Sequence, residues 1–103
     1  MAGTEGGEGR RDRKKHYRLA AISHPLRQAI LRLLSGGRQA DAVEIAAELD
    51  EERGRIAYHL RLLFRRGALK AAARGRSAAL YRRAPQAHWV RKLLGKDDEG
   101  EAQ

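Results

Sequence analysis

Between Asp41 and Gly67 the sequence sets two amphipathic helical segments end to end with only three acidic residues between them. So short a link leaves the helices little choice but to pack against each other. Asp41-x-x-Glu44 matches a capping box, in which each side chain accepts a hydrogen bond from the other residue's backbone N–H, and a helix starts there. Val43, Ile45, Ala46 and Leu49 give it an apolar face over about two turns. Asp50-Glu51-Glu52 then breaks the pattern, and a longer helix runs to about Arg66, with Ile56, Leu60 and Leu63 on its inner side. Gly67 is placed to close it in the left-handed conformation that glycine adopts without a Cβ clash. Two such helices predict a helix-turn-helix arrangement.

The flanking sequence supplies more helices and one hairpin. Lys14 to Ile22 reads as a first helix, and Pro25 opens a second at its first turn, where a missing N–H costs nothing. Leu26, Ile30, Leu33 and Leu34 form its core stripe before Gly36-Gly37 ends it. After Gly67 the period changes. Ala68 to Ala73 and Ala78 to Arg83 flank Arg74-Gly75-Arg76-Ser77, in which Gly75 can supply a positive φ at a hairpin tip. Pro85 stops the second strand, and Ala87 to Leu94 reads as a last helix. Residues 1–12, rich in Gly and Arg, and the acidic residues 95–103 read as disordered tails around one domain over 13–94. The fold class is mainly α with a small β-hairpin, a winged helix-turn-helix.

Charge distribution narrows the partner. The chain of 103 residues carries a net charge of +9, and no Asp or Glu interrupts the span from Arg53 to Lys96, which holds more than half of its 22 Lys and Arg. Scattered charges would serve solubility, but a one-signed block of that length points to a polyanion, because cations set beside phosphates release condensed counterions. With no cysteine there is no disulfide, thiolate metal site or thiol nucleophile. The N-terminal stretch lacks the apolar segment of a secretory signal, and no apolar run approaches the roughly 20 residues of a membrane span, so a cytoplasmic, nucleoid-associated protein is expected.

If Ile56, Leu60 and Leu63 face inward, the 100° step per residue puts Gly54, Tyr58, Arg61 and Arg65 on the opposite side, with Arg55 and Ala57 flanking. On that face Arg53, Arg55, Ala57, Tyr58, Arg61 and Arg65 are the candidate DNA-reading residues. Arg55 and Arg61 suit the bidentate contact to guanine O6 and N7, worth roughly 1–3 kcal/mol of discrimination, and Arg65 suits a phosphate. Arg74 and Arg76 flank the hairpin glycine and suit a backbone or a narrow minor groove. Each arginine alone could be a solvated surface residue. Asp50, Glu51 and Glu52 are expected to cap the first turn of the second motif helix or to pair with Arg53 or Arg55, while repelling phosphate at its start.

Tyr17 and Ile22 on the first helix and Trp89, Val90, Leu93 and Leu94 on the last form a candidate two-fold interface. His16, His24, His59 and His88 have no metal-ligand spacing, and no nucleophile, phosphate loop or carboxylate pair suggests catalysis. No enzyme, cofactor, metal or small-molecule effector is expected.

The string Ala21-Ile22-Ser23-His24-Pro25-Leu26-Arg27, followed by Ile30-Leu31-Arg32-Leu33-Leu34, resembles the opening of the ArsR-type winged-helix repressors. The likeness continues through Glu44-Ile45-Ala46, Leu49, Tyr58-His59-Leu60-Arg61-Leu62-Leu63, Gly67-Ala68-Leu69, Arg74-Gly75-Arg76 and Tyr81-Arg82, over roughly two thirds of the chain. It implies a homodimer built from the first and last helices, with recognition helices in successive major grooves and wings on flanking phosphates. The third helix lacks the paired cysteines of many metal sensors in that family, the last helix lacks a zinc-ligand set, and Asp50 stands where the family usually has Gly. The expectation is therefore a sequence-specific double-stranded DNA regulator, a repressor, without a metal sensor. Two alternatives stay open: a winged-helix module for RNA or a protein, and a nonspecific nucleoid packer.

Overall fold

The computed structural model describes residues 13, 16–74 and 79–95, the side chains of 72–74 excepted. Residues 16–22 form helix α1. It is followed by α2 (Pro25–Leu33), a 3-10 turn (Ser35–Gly37), α3 (Ala42–Leu49), α4 (Arg53–Arg65), β1 (Leu69–Arg74), β2 (Ala79–Arg83) and α5 (His88–Leu94). Each boundary has a local cause. Pro25 sits in the first turn of α2, and the His24 imidazole accepts the Leu26 N–H at 3.1 Å as its N-cap. That cap was not legible in the sequence, because imidazole is not among the preferred capping groups. Gly36 and Gly37, with φ of 73° and 81°, turn the chain out of α2. Asp41 and Glu44 form the complete capping box at α3. Gly67 takes φ 83° after α4, the left-handed exit expected of it.

The core is a single cluster in which Ile30, Leu31 and Leu34 of α2 and its exit meet Ile45 of α3 and Ile56, Leu60 and Leu63 of α4. Val90 and Leu94 close it from α5, and Ala21 and Ile22 from α1. Burying a Leu or Ile side chain contributes roughly 1.5–3 kcal/mol, so these stripes decide which helix faces turn inward.

Strands β1 and β2 pair antiparallel from Leu69↔Arg83 to Arg74↔Ala79, with a bulge between Ala71 and Ala73. The hairpin is anchored through the middle of β2. Ala40 and Tyr81 exchange two backbone hydrogen bonds of 3.1 and 2.9 Å, which tie β2 to the residue that precedes the N-cap of α3. Polar stitches hold the remaining elements. Gln28 Nε2 donates to the Ile22 carbonyl at 2.7 Å, Arg83 Nη1 to that of Leu31 at 3.3 Å, and Arg32 Nη2 to that of Leu94 at 3.1 Å. Long arginine side chains thus satisfy helix C-terminal carbonyls while their stems cover apolar surface.

Candidate nucleic-acid interface

Helix α4 is held against α3 by its inner side. Ile56, Leu60 and Leu63 are buried, while Arg53, Gly54, Arg55, Tyr58, Arg61 and Arg65 are exposed and Ala57 is half-buried. α4 itself has no acidic residue, and four exposed arginines share its outer side with Tyr58, which is 51% exposed. Such a surface offers rigid, cationic hydrogen-bond donors on an element whose rotation is fixed by packing.

The link before it behaves differently from the sequence expectation. Asp50 takes a left-handed conformation (φ 54°, ψ 53°) as the C-cap of α3, with its N–H on the Ala46 carbonyl. This is the conformation that glycine adopts at least cost, and aspartate tolerates it better than most residues. Glu52 is the N-cap of α4, yet its side chain caps nothing. Glu51 points to Arg55, with 3.5 Å between Oε1 and Nη1. Of the two roles expected for these carboxylates, ion pairing is formed and side-chain capping is not.

Beneath the outer side lies His59, only 5% exposed, its Nδ1 buried without a hydrogen-bond partner. Its ring centroid is 4.7 Å from that of His24 and 5.1 Å from that of Tyr58. Burial holds the imidazole below its ordinary value near 6.5, and His24, Arg27 and Arg55 push the same way against Glu51. His59 therefore packs under the outer side of α4 with its proton affinity lowered. Among the described residues no group of three or more His, Cys, Asp or Glu gathers as a metal site.

Arg74 ends β1, but its side chain, the hairpin tip at Gly75 and all of Arg76 lie outside the described residues. The strands themselves bring further cations to the hairpin. Lys70 is exposed, while Arg82 and Arg83 are half-buried.

The six residues expected at a two-fold interface divide into two groups. Ile22, Val90 and Leu94 are 4%, 1% and 6% exposed and belong to the core of the single chain, because α1 and α5 need an apolar side to dock at all. Tyr17 and Leu93 are exposed and Trp89 is half-buried. Leu19, 38% exposed on α1, joins them and was missed. So was Phe64, exposed on α4, whose ring packs edge-on against Tyr81 at 6.2 Å.

A family model described as a helix-turn-helix domain matches residues 22–72. Solved structures share the fold over most of the chain. HlyU from Vibrio cholerae has 18% identity and a TM-score of 0.72, covering 90% of this chain and 97% of its own. NolR from Sinorhizobium fredii has 19% identity and a TM-score of 0.74, covering 86% and 85%. The predicted DNA-binding transcriptional regulator from E. coli has 23% identity and a TM-score of 0.66, covering 91% and 92%. No curated protein sequence matches the chain. The protein thus carries a helix-turn-helix domain and shares the fold of these structures, and its motifs from Ala21 to Arg82 resemble those of the ArsR type. Among the described residues no helix is long and apolar enough to cross a membrane.

Proposed function

We propose that this protein is a transcriptional regulator that binds a palindromic site in double-stranded DNA as a homodimer and represses by occluding the promoter. The observation that supports this most directly is that α4 has no acidic residue of its own and exposes Arg53, Arg55, Arg61 and Arg65 on the side that carries Tyr58. A helix about 10–12 Å across fits the major groove, where arginine reads guanine through O6 and N7. Arg55 and Arg61 read bases, Arg53 and Arg65 hold phosphates, and Ala57 admits a thymine methyl. The hairpin lays Arg74 and Arg76 along the neighbouring backbone. A second copy meets the first through the exposed parts of α1 and α5, around Tyr17, Trp89 and Leu93, and sets two α4 helices one DNA turn apart. The described helices, the family match and the likeness to DNA-binding regulators support this reading over catalysis.

Selection of bound sequences from a random duplex pool tests it. Two inverted half-sites with centres about 10 base pairs apart are expected. Equal retention of all sequences, or preference for RNA, overturns it. Replacing Arg74 and Arg76 with Ala should weaken binding to every sequence and lower the salt slope by about two units, whereas loss confined to certain sequences would identify base readout by the wing.

A further inference from the structure

Away from the outer side of α4, the structure holds a second cationic site. An open cleft of about 440 Å³ lies where α1, the end of α4 and the start of α5 meet, lined by Tyr17, Arg18, Arg66, Gly67, Ala87 and Trp89 among others. Arg66 follows Arg65 by the 100° step that turns it from the outer side, and its guanidinium lies 3.9 Å from the Tyr17 ring centroid. Its Nη1 donates to the Tyr17 carbonyl at 2.9 Å, which fixes the direction of the planar group. Arg18 from α1 lies 5.2 Å from the Trp89 ring centroid. The two ion pairs formed among the described residues, Arg38 with Glu48 and Arg55 with Glu51, involve neither of these arginines. Two guanidiniums are therefore held on aromatic faces at one cleft, and among the described residues most of their five N–H donors each meet no acceptor.

We infer that this cleft binds a small aromatic carboxylate. The fork of a guanidinium matches a carboxylate through two parallel hydrogen bonds, and Tyr17, Trp89 and Ala87 supply the apolar part of the lining beside the two guanidiniums. The volume is within the roughly 300–1,000 Å³ typical of small-molecule sites. Tyr17 and Trp89 also belong to the surface proposed for the second copy, so occupancy of the cleft is coupled to association. The binding itself needs only the single chain.

Trp89 is the only tryptophan, so its fluorescence reports on the cleft directly. The full-length protein titrated with benzoate should give a saturable change that benzamide and inorganic phosphate do not reproduce. Arg66→Gln and Arg18→Gln should each weaken the benzoate midpoint about tenfold, the worth of a charge-assisted pair. Arg18→Gln removes no backbone hydrogen bond, and circular dichroism verifies the fold of both variants. No saturable change, an equal response to benzamide or phosphate, or unchanged midpoints in both folded variants overturns the proposal. So does a loss of DNA affinity in both variants, without benzoate, as large as that of Arg61→Ala, which would make these arginines phosphate contacts. Sedimentation with and without benzoate should show a shift in association; its absence, with the fluorescence change intact, overturns the coupling. Failure of the titration leaves the DNA reading standing, because the latter rests on other residues and a different assay.

Discussion

Helices α3 and α4 are consecutive, packed together and similarly preceded by acidic residues, yet they begin in opposite ways. At α3 the Asp41 carboxylate accepts the Glu44 N–H at 2.9 Å and Glu44 accepts the Asp41 N–H at 3.0 Å, so the first turn is closed by its own side chains. At α4 Glu52 occupies the N-cap position without accepting a backbone hydrogen bond, and Glu51 turns instead to Arg55. The first helix is built to be stable where it stands. The second leaves its N-terminal N–H groups without a side-chain cap and keeps Arg53, Arg61 and Arg65 exposed beside the Arg55–Glu51 pair, the arrangement that the proposed phosphate contacts require.

Point substitutions test whether the two helix starts differ in this way. Arg61→Ala should cost roughly 1–3 kcal/mol of DNA affinity and relax selectivity at one base position, measured by binding to the selected duplex and its single-base variants, with the melting temperature unchanged. A uniform loss across all duplexes would move Arg61 to the phosphates. Asp41→Ala should destabilise the fold by about 1 kcal/mol in urea unfolding, while Glu52→Ala stays within about 0.5 kcal/mol. Equal losses at both sites would erase the contrast between the two helix starts.

Asp50→Gly should stabilise the fold by up to about 1 kcal/mol, because glycine takes the left-handed conformation without the Cβ clash. The gain stays small because glycine also frees the unfolded chain. Glu51→Gln should tighten DNA binding a few-fold at low salt, by freeing Arg55 and removing a like charge from the phosphates; the gain should shrink as salt is added. Unchanged or weaker affinity would show that Glu51 aims Arg55 productively.

The buried His59 adds a pH signature beneath the same helix. Its folded-state value is lowered, so the unfolded chain binds the proton more readily, and stability falls as pH drops through about 6.5 toward the lowered value. Above that window the contribution is flat. His59→Phe should flatten the slope in urea unfolding measured across it, and an unaltered slope would assign the effect to other groups.

Much of this was legible from local patterns. The capping box at Asp41, Pro25 in the first turn of α2, the glycine exits and the stripe Ile56, Leu60, Leu63 each act through neighbours within about one helical turn, so periodicity and spacing reveal them. The outer side of α4 follows from the same geometry. What spacing cannot show is the partner a side chain finds across the fold. Val90 and Leu94 look like surface for a second copy until the core claims them, and His24 reads as an isolated histidine until it caps α2 and meets His59. Residues distant in the chain, Tyr17 with Arg66 and Ala40 with Tyr81, pair only once the helices have packed. Local sequence is enough to say where the helices start and stop and which side of each is apolar, because backbone hydrogen bonding and burial act residue by residue. Which carboxylates cap, which pair, and which arginines stay free was decided only by the tertiary structure, because a long side chain takes whichever charge, ring or carbonyl the packed helices bring within reach.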